Sequence, residues 1–432
     1  MDKIIINGGH PLNGSIEVSG TKNSALAIII GSLLIEDKCV IENLPDIMDV
    51  EMCFKILKFI GSSIRRIGKS TYEIDNRRAV GGIAPYDLVS KMRASAYLLG
   101  AELGRYGKAH VAHPGGCDFG NRPLDLHIMG FEALGAAFTT SEGGYYSLFA
   151  PEGLHSAQIY LDFPSVGATV NLILASVRTP DINVVIDNAA REPHIVDLAN
   201  FLNACGANIS GAGTDVIKIK GVSHLHGCTY AIIPDMIEVG TYMACAAAAG
   251  GHLTITNVIP KHMEAVTAKM MELGAEIDEL DDAIIVERIG HPLNRGNLKT
   301  LPYPGIPTDM NPQLCVLLCL ANGTSTLTEG VWDNRFRYVD ELARMSANIK
   351  VEGRTATVEG RGRLTGAAVR AVDLRAGAAM IIAGLAAKGR TEIEDIYHIE
   401  RGYEDIVNKL RSVGADIKVI STPDHENYEK AN

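Results

Sequence analysis

One segment type recurs six times along this chain: a helix-like stretch, a Gly or Ser step, and then a strand-like run. The copies are KILKFIGSSIRRI, FEALGAAFTT, NFLNACGANIS, MMELGAEIDEL, LARMSANIKVE and KLRSVGADIKV. Their turn positions are Gly61, Gly135, Gly206, Gly274, Ser346 and Gly414, spaced by 74, 71, 68, 72 and 68 residues. Six units of about 72 residues fill all 432 positions. A long fixed period means that each unit is one supersecondary module that buries its apolar face only against its neighbours. The fold must therefore be built from copies.

A second element recurs between those steps. Its polar entries begin at Thr21-Lys22-Asn23, Lys91-Met92-Arg93, Ser165-Val166-Gly167, Pro234-Asp235-Met236, Thr308-Asp309-Met310 and Asp373-Leu374-Arg375. The runs that follow, such as ALAIIIGSLLI and GTYMACAAAA, are apolar nearly all round, which predicts buried helices. Each unit then reads as two helices and about four short strands, an α/β class. A buried helix leaves its first N–H groups and positive dipole end free at such an entry. Ordinary capping accounts for Ser165 and Thr308. Cationic Lys22, Arg93 and Arg375 are disfavoured at a helix start unless an anion is present, so the entries point to an anion-binding cleft. Six units divide into two domains of three. The expected boundaries are 21–233 for one, 1–20 with 234–420 for the other, and a charged tail at 421–432.

Composition narrows the partners. Apolar residues make up 47% and charged residues 21%, enough for a large core. The formal net charge of -11 gives no basic field for nucleic acid. The longest apolar runs, Ala25–Ile30 and Cys315–Ala321, fall far short of the ~20 residues that span a bilayer. Eight cysteines without framework spacing fit a reducing cytoplasm. Cys315 and Cys319 are spaced i,i+4 in an apolar stretch with no nearby His, which predicts core packing rather than a metal pair.

Cys117 stands apart from the other thiols. It lies in HPGGCDFGNRP, flanked by Gly115, Gly116 and Gly120, with Arg122 five residues on. Glycines allow close approach to a ligand, and nearby positive charge favours thiolate. The segment reads as a reactive lid for an anionic substrate or as a surface turn with an incidental thiol; spacing leaves both open. Asp309 reads either as a helix cap or as a general base. Asp373 and Arg375 read as a local ion pair or as part of a cleft wall. Arg401 alone reads as a solvated charge. His127 and His398 read as structural histidines. There is no P-loop, no dinucleotide-binding turn and no zinc pattern, so neither metal nor cofactor is expected.

The motifs SGTKNSALA, KMRAS, HPGGCDFGNRPLDLHI, SVGATVN, IDNAAREPHIVDLANFL, GTD, YPGIPTDM, DNRF, DLRA and IYHIERGYE together resemble the enolpyruvyl transferases that act on UDP-N-acetylglucosamine. The resemblance runs from residue 1 to about 420. It implies the enolpyruvyl transferase fold, two inside-out α/β domains (a β-prism) with three repeats each. It also implies transfer of the enolpyruvyl group of phosphoenolpyruvate to the sugar 3-hydroxyl with release of phosphate, the first committed step of peptidoglycan precursor synthesis. Residue by residue, it makes Cys117 the proton donor or adduct-forming thiol and Asp309 the base or proton relay. It puts Lys22, Asn23, Arg122 and Arg401 on phosphoenolpyruvate and Arg93 near the sugar nucleotide. Asp373 and Arg375 fall on the catalytic side. The sugar-nucleotide wall falls on Arg122, Pro123, Leu124, Asp125 and Leu126, on Ser165, Val166 and Gly167, and on Val331. The resemblance further implies fosfomycin as a covalent inhibitor at Cys117.

Two positions depart from the family pattern. Met48 and Phe163 stand where some members carry Lys, which leaves the diphosphate and uridine contacts open. Two alternatives stay open: a shikimate-type enolpyruvyl transferase, and a non-catalytic sugar-nucleotide sensor.

Overall fold

The computed structural model describes residues 2–82, 84–115, 123–141 and 144–421. The chain divides into two compact units, Met1–Ser19 with Pro234–Asn432, and Gly20–Ile233. The second is one continuous segment. The first is closed by the N-terminal strands.

In the discontinuous unit, three helices occupy the centre: Met236–Ala249, Asn311–Leu320 and Leu374–Ala386. Nearly all their residues are buried, and all three touch one another. Each also backs onto its own sheet. One sheet places Asp2–Asn7 between Arg390–Glu394 and Asp416–Ser421, antiparallel to both, with Ala368–Arg370 at the edge. A second sets Leu12–Glu17 parallel to Gly251–Thr256, followed by Ala283–Arg288 and Glu276–Glu279. The third is built on Ala321–Thr328 and Thr355–Arg361.

The three helices run the same way. Their starts meet at Arg375, whose charge interacts with Asp309 and Asp235 from the other two entries. Their ends meet at a cavity lined by Ala248, Ala249, Leu320 and Ala386. There the Arg288 guanidinium donates to the terminal carbonyls of Ala247 and Ala248, offsetting the negative dipole end.

The continuous unit repeats the plan with Lys22–Gly31, Tyr97–Tyr106 and Val166–Ser176 as inner helices. Its sheets are built around Lys38–Glu42, Tyr145–Phe149 and Asn183–Asp187. Five of the six described sheets share one pattern, three antiparallel strands flanked on one side by parallel pairing. The Tyr145–Phe149 sheet shows antiparallel pairs only, among the described residues.

The six repeated steps share one geometry. Each follows an outer helix, and Gly61, Gly135, Gly206, Gly274, Ser346 and Gly414 all have positive φ. In every copy the next residue's N–H reaches back five positions to a helix carbonyl: Ser62 to Leu57, Ala136 to Phe131, Ala207 to Leu202, Ala275 to Met270, Ala347 to Leu342 and Ala415 to Leu410. This is the Schellman closure, which turns the chain from helix into strand. Glycine recurs because it alone enters that conformation without a Cβ penalty.

Cys315 and Cys319 lie in the core of the discontinuous unit, as core packing requires. Among the described residues no helix is long and apolar enough to cross a membrane.

Candidate active site

Asp309 lies in a single 3-10 turn, Thr308–Met310, ahead of the buried Asn311–Leu320 helix. The residues flanking the turn, Pro307 and Met310, supply no side-chain cap, and the Thr308 hydroxyl is buried without a hydrogen-bond partner among the described residues, so the capping reading of Thr308 does not hold. The Asp309 carboxylate instead faces two buried guanidiniums. Arg375 donates Nε to Oδ2 at 3.1 Å, with Nη2 at 3.0 Å from the same oxygen. Arg335 approaches Oδ1 at 3.7 Å and donates Nε to the Thr308 carbonyl at 3.3 Å. The carboxylate keeps about a third of its surface, whereas both arginines are almost wholly covered.

Burial works against the Arg375 charge, but Tyr403, Asp309 and Asp235 outweigh it and leave its pKa raised. Its guanidinium also lies 5.4 Å from the Tyr403 ring centre. Its Nη1 has no hydrogen-bond partner among the described residues. A covered donor without an acceptor is costly unless a ligand completes it.

Asp373 does not pair with Arg375 through side chains. It caps the Leu374–Ala386 helix, with Oδ1 accepting from the Arg375 and Ala376 N–H groups at 2.8 and 2.9 Å. The local ion-pair reading is thereby corrected. Arg375 enters the site because its partner is Asp309, 66 positions away.

Arg401 follows the short Tyr397–Glu400 helix and is half-buried, not a fully solvated charge. Its charge, after burial, helps to lower the His398 pKa. His398 Nδ1 is buried without a hydrogen-bond partner among the described residues, which corrects its reading as a satisfied histidine. Val331 is half-buried beside Glu329, whose Oε1 takes its N–H at 2.9 Å.

In the continuous unit, Lys22 opens the first inner helix, and its Nζ lies 2.7 Å from Asp49 Oδ2. The cationic start is thus offset by a carboxylate of the protein, which sequence spacing did not show. Asn23 is half-buried next to it. Ser24 is buried and bonded to Asp197, which also accepts from Tyr230 at 2.6 Å. Arg93 opens a 3-10 turn before Tyr97–Tyr106, and burial lowers its pKa.

Ser165 does cap its helix, accepting from the Ala168 N–H at 3.2 Å. Val166 and Gly167 follow on the same turn. A Cβ on Gly167 would lie 2.8 Å from a His127 ring carbon, so this entry needs glycine. His127 is covered and bonded to Asn171 at 2.8 Å; burial, then Arg93, pulls its pKa down to about 3. It is therefore neutral near pH 7.

Pro123 is exposed, Leu124 buried, Asp125 exposed at the start of its helix, and Leu126 half-buried. Cys117 and Arg122 lie outside the described residues. Met48 and Phe163 are exposed apolar side chains. Among the described residues no cluster of His, Cys, Asp and Glu could hold a metal ion.

Residues 6–410 match the family described as EPSP synthase (3-phosphoshikimate 1-carboxyvinyltransferase). The UDP-N-acetylglucosamine 1-carboxyvinyltransferase 3 of Caldanaerobacter subterraneus subsp. tengcongensis is 53% identical over 96% of this chain and 99% of its own. The UDP-N-acetylglucosamine 1-carboxyvinyltransferase of Clostridium botulinum is 50% identical, with the same coverage. The chain belongs to the UDP-N-acetylglucosamine 1-carboxyvinyltransferase branch of the enolpyruvyl transferases. Among solved structures, the enolpyruvyl transferase NikO of Streptomyces tendae superposes with a TM-score of 0.87 at 25% identity, covering 98% of this chain and 99% of that one. An EPSP synthase of Acinetobacter baumannii, at 18% identity and a TM-score of 0.75 over 97% of this chain and all of its own, shares the fold.

Two of the side chains found above lie in the segments that carry the sequence resemblance. Arg335 belongs to DNRF, and Arg375 to DLRA. Sequence alone gives Arg335 no role of its own; its one signal is an Arg inside an otherwise unexplained motif. Asp49 carried no such signal.

Proposed function

We propose that this transferase moves the enolpyruvyl group of phosphoenolpyruvate to the 3-hydroxyl of UDP-N-acetylglucosamine, releasing phosphate for peptidoglycan precursor synthesis, with Asp309 taking the hydroxyl proton. Full-length identity of 50–53% to relatives of that name carries the reaction. The Asp309 setting supports the role given to it, since two covered guanidiniums hold a part-exposed carboxylate in one orientation.

In the addition step the sugar oxygen bonds to C2 of the donor, its proton passes to Asp309, and Cys117 delivers a proton to C3. In the elimination step the C2–O bond to phosphate breaks and C3 loses a proton, leaving the enol ether. Lys22, Asn23, Arg122 and Arg401 offset the donor's carboxylate and phosphate with directed hydrogen bonds. Arg93, Pro123, Leu124, Asp125, Leu126, Ser165, Val166, Gly167 and Val331 face the sugar nucleotide. Asp373 fixes the helix start that carries Arg375. Fixed cations stabilise the departing phosphate. The reaction belongs in the cytoplasm. Fosfomycin is a covalent partner: the Cys117 thiolate opens its epoxide, forming C–S as C–O breaks.

Phosphate release from phosphoenolpyruvate, measured with UDP-N-acetylglucosamine, with shikimate 3-phosphate and with neither, tests the reading. Release should occur with the sugar nucleotide only. Asp309→Asn should fold yet lose at least about 10²-fold in turnover. Fosfomycin should abolish release while adding its mass at Cys117. Release with shikimate 3-phosphate, or a fully active Asn variant, would sink the corresponding assignment.

A further inference from the structure

Three thiols that the proposed reaction does not use come together in the continuous unit. Cys205 closes the Pro193–Ala204 helix and is fully buried. Cys228 immediately precedes the Thr229–Ala231 strand and is part-exposed. Their sulfurs are 3.2 Å apart. Cys39, buried in the Lys38–Glu42 strand, contributes the third thiol, close enough to interact with both.

The backbone holds this arrangement on both sides. The His226 N–H donates to the Cys205 carbonyl at 2.9 Å, and the Val40 N–H to the Cys228 carbonyl at 2.9 Å. Thr229–Ala231 also pairs in parallel with the strand that carries Cys39. No metal explains the cluster, because no group among the described residues has metal-holding geometry.

We propose that Cys205 and Cys228 form a reversible disulfide when the folded protein meets a hydroperoxide. A disulfide needs sulfurs ~2.05 Å apart, so closure requires a shift of roughly 1.2 Å, within reach of side-chain rotation. Cys228 is the attacking group, being the one of the three with a path to solvent. Contact with the Cys205 thiol, then with Cys39, and His226 nearby pull its pKa down against burial. The same contacts, with burial, push the Cys205 thiol up, so Cys205 keeps its proton.

The chemistry balances. The Cys228 sulfur attacks one peroxide oxygen, the O–O bond breaks, and water (or the alcohol of an organic peroxide) leaves, giving a sulfenic acid. The Cys205 sulfur then attacks the sulfenic sulfur. The S–S bond forms, the S–O bond breaks, and a second water leaves with the Cys205 proton. A dithiol returns both thiols by exchange.

The test uses the whole reduced protein and hydrogen peroxide, at a dose that oxidises a free-cysteine standard. After unfolding and N-ethylmaleimide blocking, peptide mass mapping should show a Cys205–Cys228 cross-link 2 Da lighter than the two thiol peptides combined. Alkylation of Cys228 should fall at least tenfold and return after dithiothreitol. In a Cys39→Ser, Cys205→Ser variant the reaction should stop at the Cys228 sulfenic acid, which dimedone traps. Recovery of both Cys205 and Cys228 as alkylated thiols after oxidation would overturn the proposal. So would a Cys39–Cys228 cross-link in place of the expected one.

Discussion

Both backbone bonds that Asp373 accepts end on one carboxylate oxygen, Oδ1. Its capping needs an acceptor and not a charge, which separates its structural job from any chemical one. Asp373→Asn should therefore keep stability within about 0.5 kcal/mol, while Asp373→Ala should lose about 1–2 kcal/mol with the cap. If the carboxylate charge also serves the reaction, the Asn variant loses turnover with its denaturation midpoint intact. An Asn variant that is stable and fully active would restrict Asp373 to capping.

Glu102 sets a pH limit elsewhere in the continuous unit. Burial raises its pKa to about 7 against two backbone hydrogen bonds, from His110 and Gly82, that lower it. The folded state then holds its proton more tightly than the unfolded chain does. The resulting stability is present in full below the unfolded value of 4.5 and is lost as pH rises through about 7. The loss is on the order of 3 kcal/mol at most. Glu102→Gln cannot ionise, so its urea midpoint should fall less than the parent's between pH 5 and pH 8. Equal falls in both proteins would rule Glu102 out as the cause.

At the scale of elements, the Schellman closures were legible because a residue type marks them. Five of the six copies carry Gly at φ of 96° to 106°, beyond the region that L residues adopt. Ser346 sits at 68°, inside the small left-handed well, which lets a serine stand there. Gly274→Ala should cost about 1–2 kcal/mol, since it adds backbone strain and sets a Cβ 3.1 Å from Asn294 Nδ2. Ser346→Gly should cost much less or stabilise. A denaturation series in which both substitutions behave alike would refute the distinction.

The helix entries were legible in the same way, as polar triplets before apolar runs. Their partners were not. Arg375 meets Asp309, Lys22 meets Asp49, and Cys205 meets Cys228 and Cys39 because inner helices, outer helices and strands pack in three dimensions. No local pattern encodes those meetings. The seven thiols outside the Cys117 segment each looked like a small hydrophobe in its own segment, and only packing gathers three of them.

At the scale of the molecule, the two units differ in how they are closed. The core of Gly20–Ile233 is drawn wholly from its own continuous segment. The other unit depends on the chain's first residues. Asp2–Asn7 is an internal strand of one sheet, and Leu12–Glu17 an edge of another. Ile4, Ile6, Leu12, Ile16 and Val18 are all buried in its core. Burying each is worth about 1.5–3 kcal/mol, so the five together rival the whole stability of an ordinary domain, about 5–15 kcal/mol. A fragment of residues 20–233 should thus unfold cooperatively in urea, whereas residues 234–421 alone should not. The register supplies the repair. Asp2 lies opposite Ser421 on antiparallel strands, and the Ser421 hydroxyl donates to Asp2 Oδ1 at 2.6 Å. Joining 421 to 2 through an Asn-Gly turn makes a hairpin of a type such strands accept. The permuted chain, 234–421 followed by 2–19, should recover a cooperative transition and near-native circular dichroism. If residues 234–421 unfold as sharply without the N-terminal strands as with them, the strands are accessories and not part of the core.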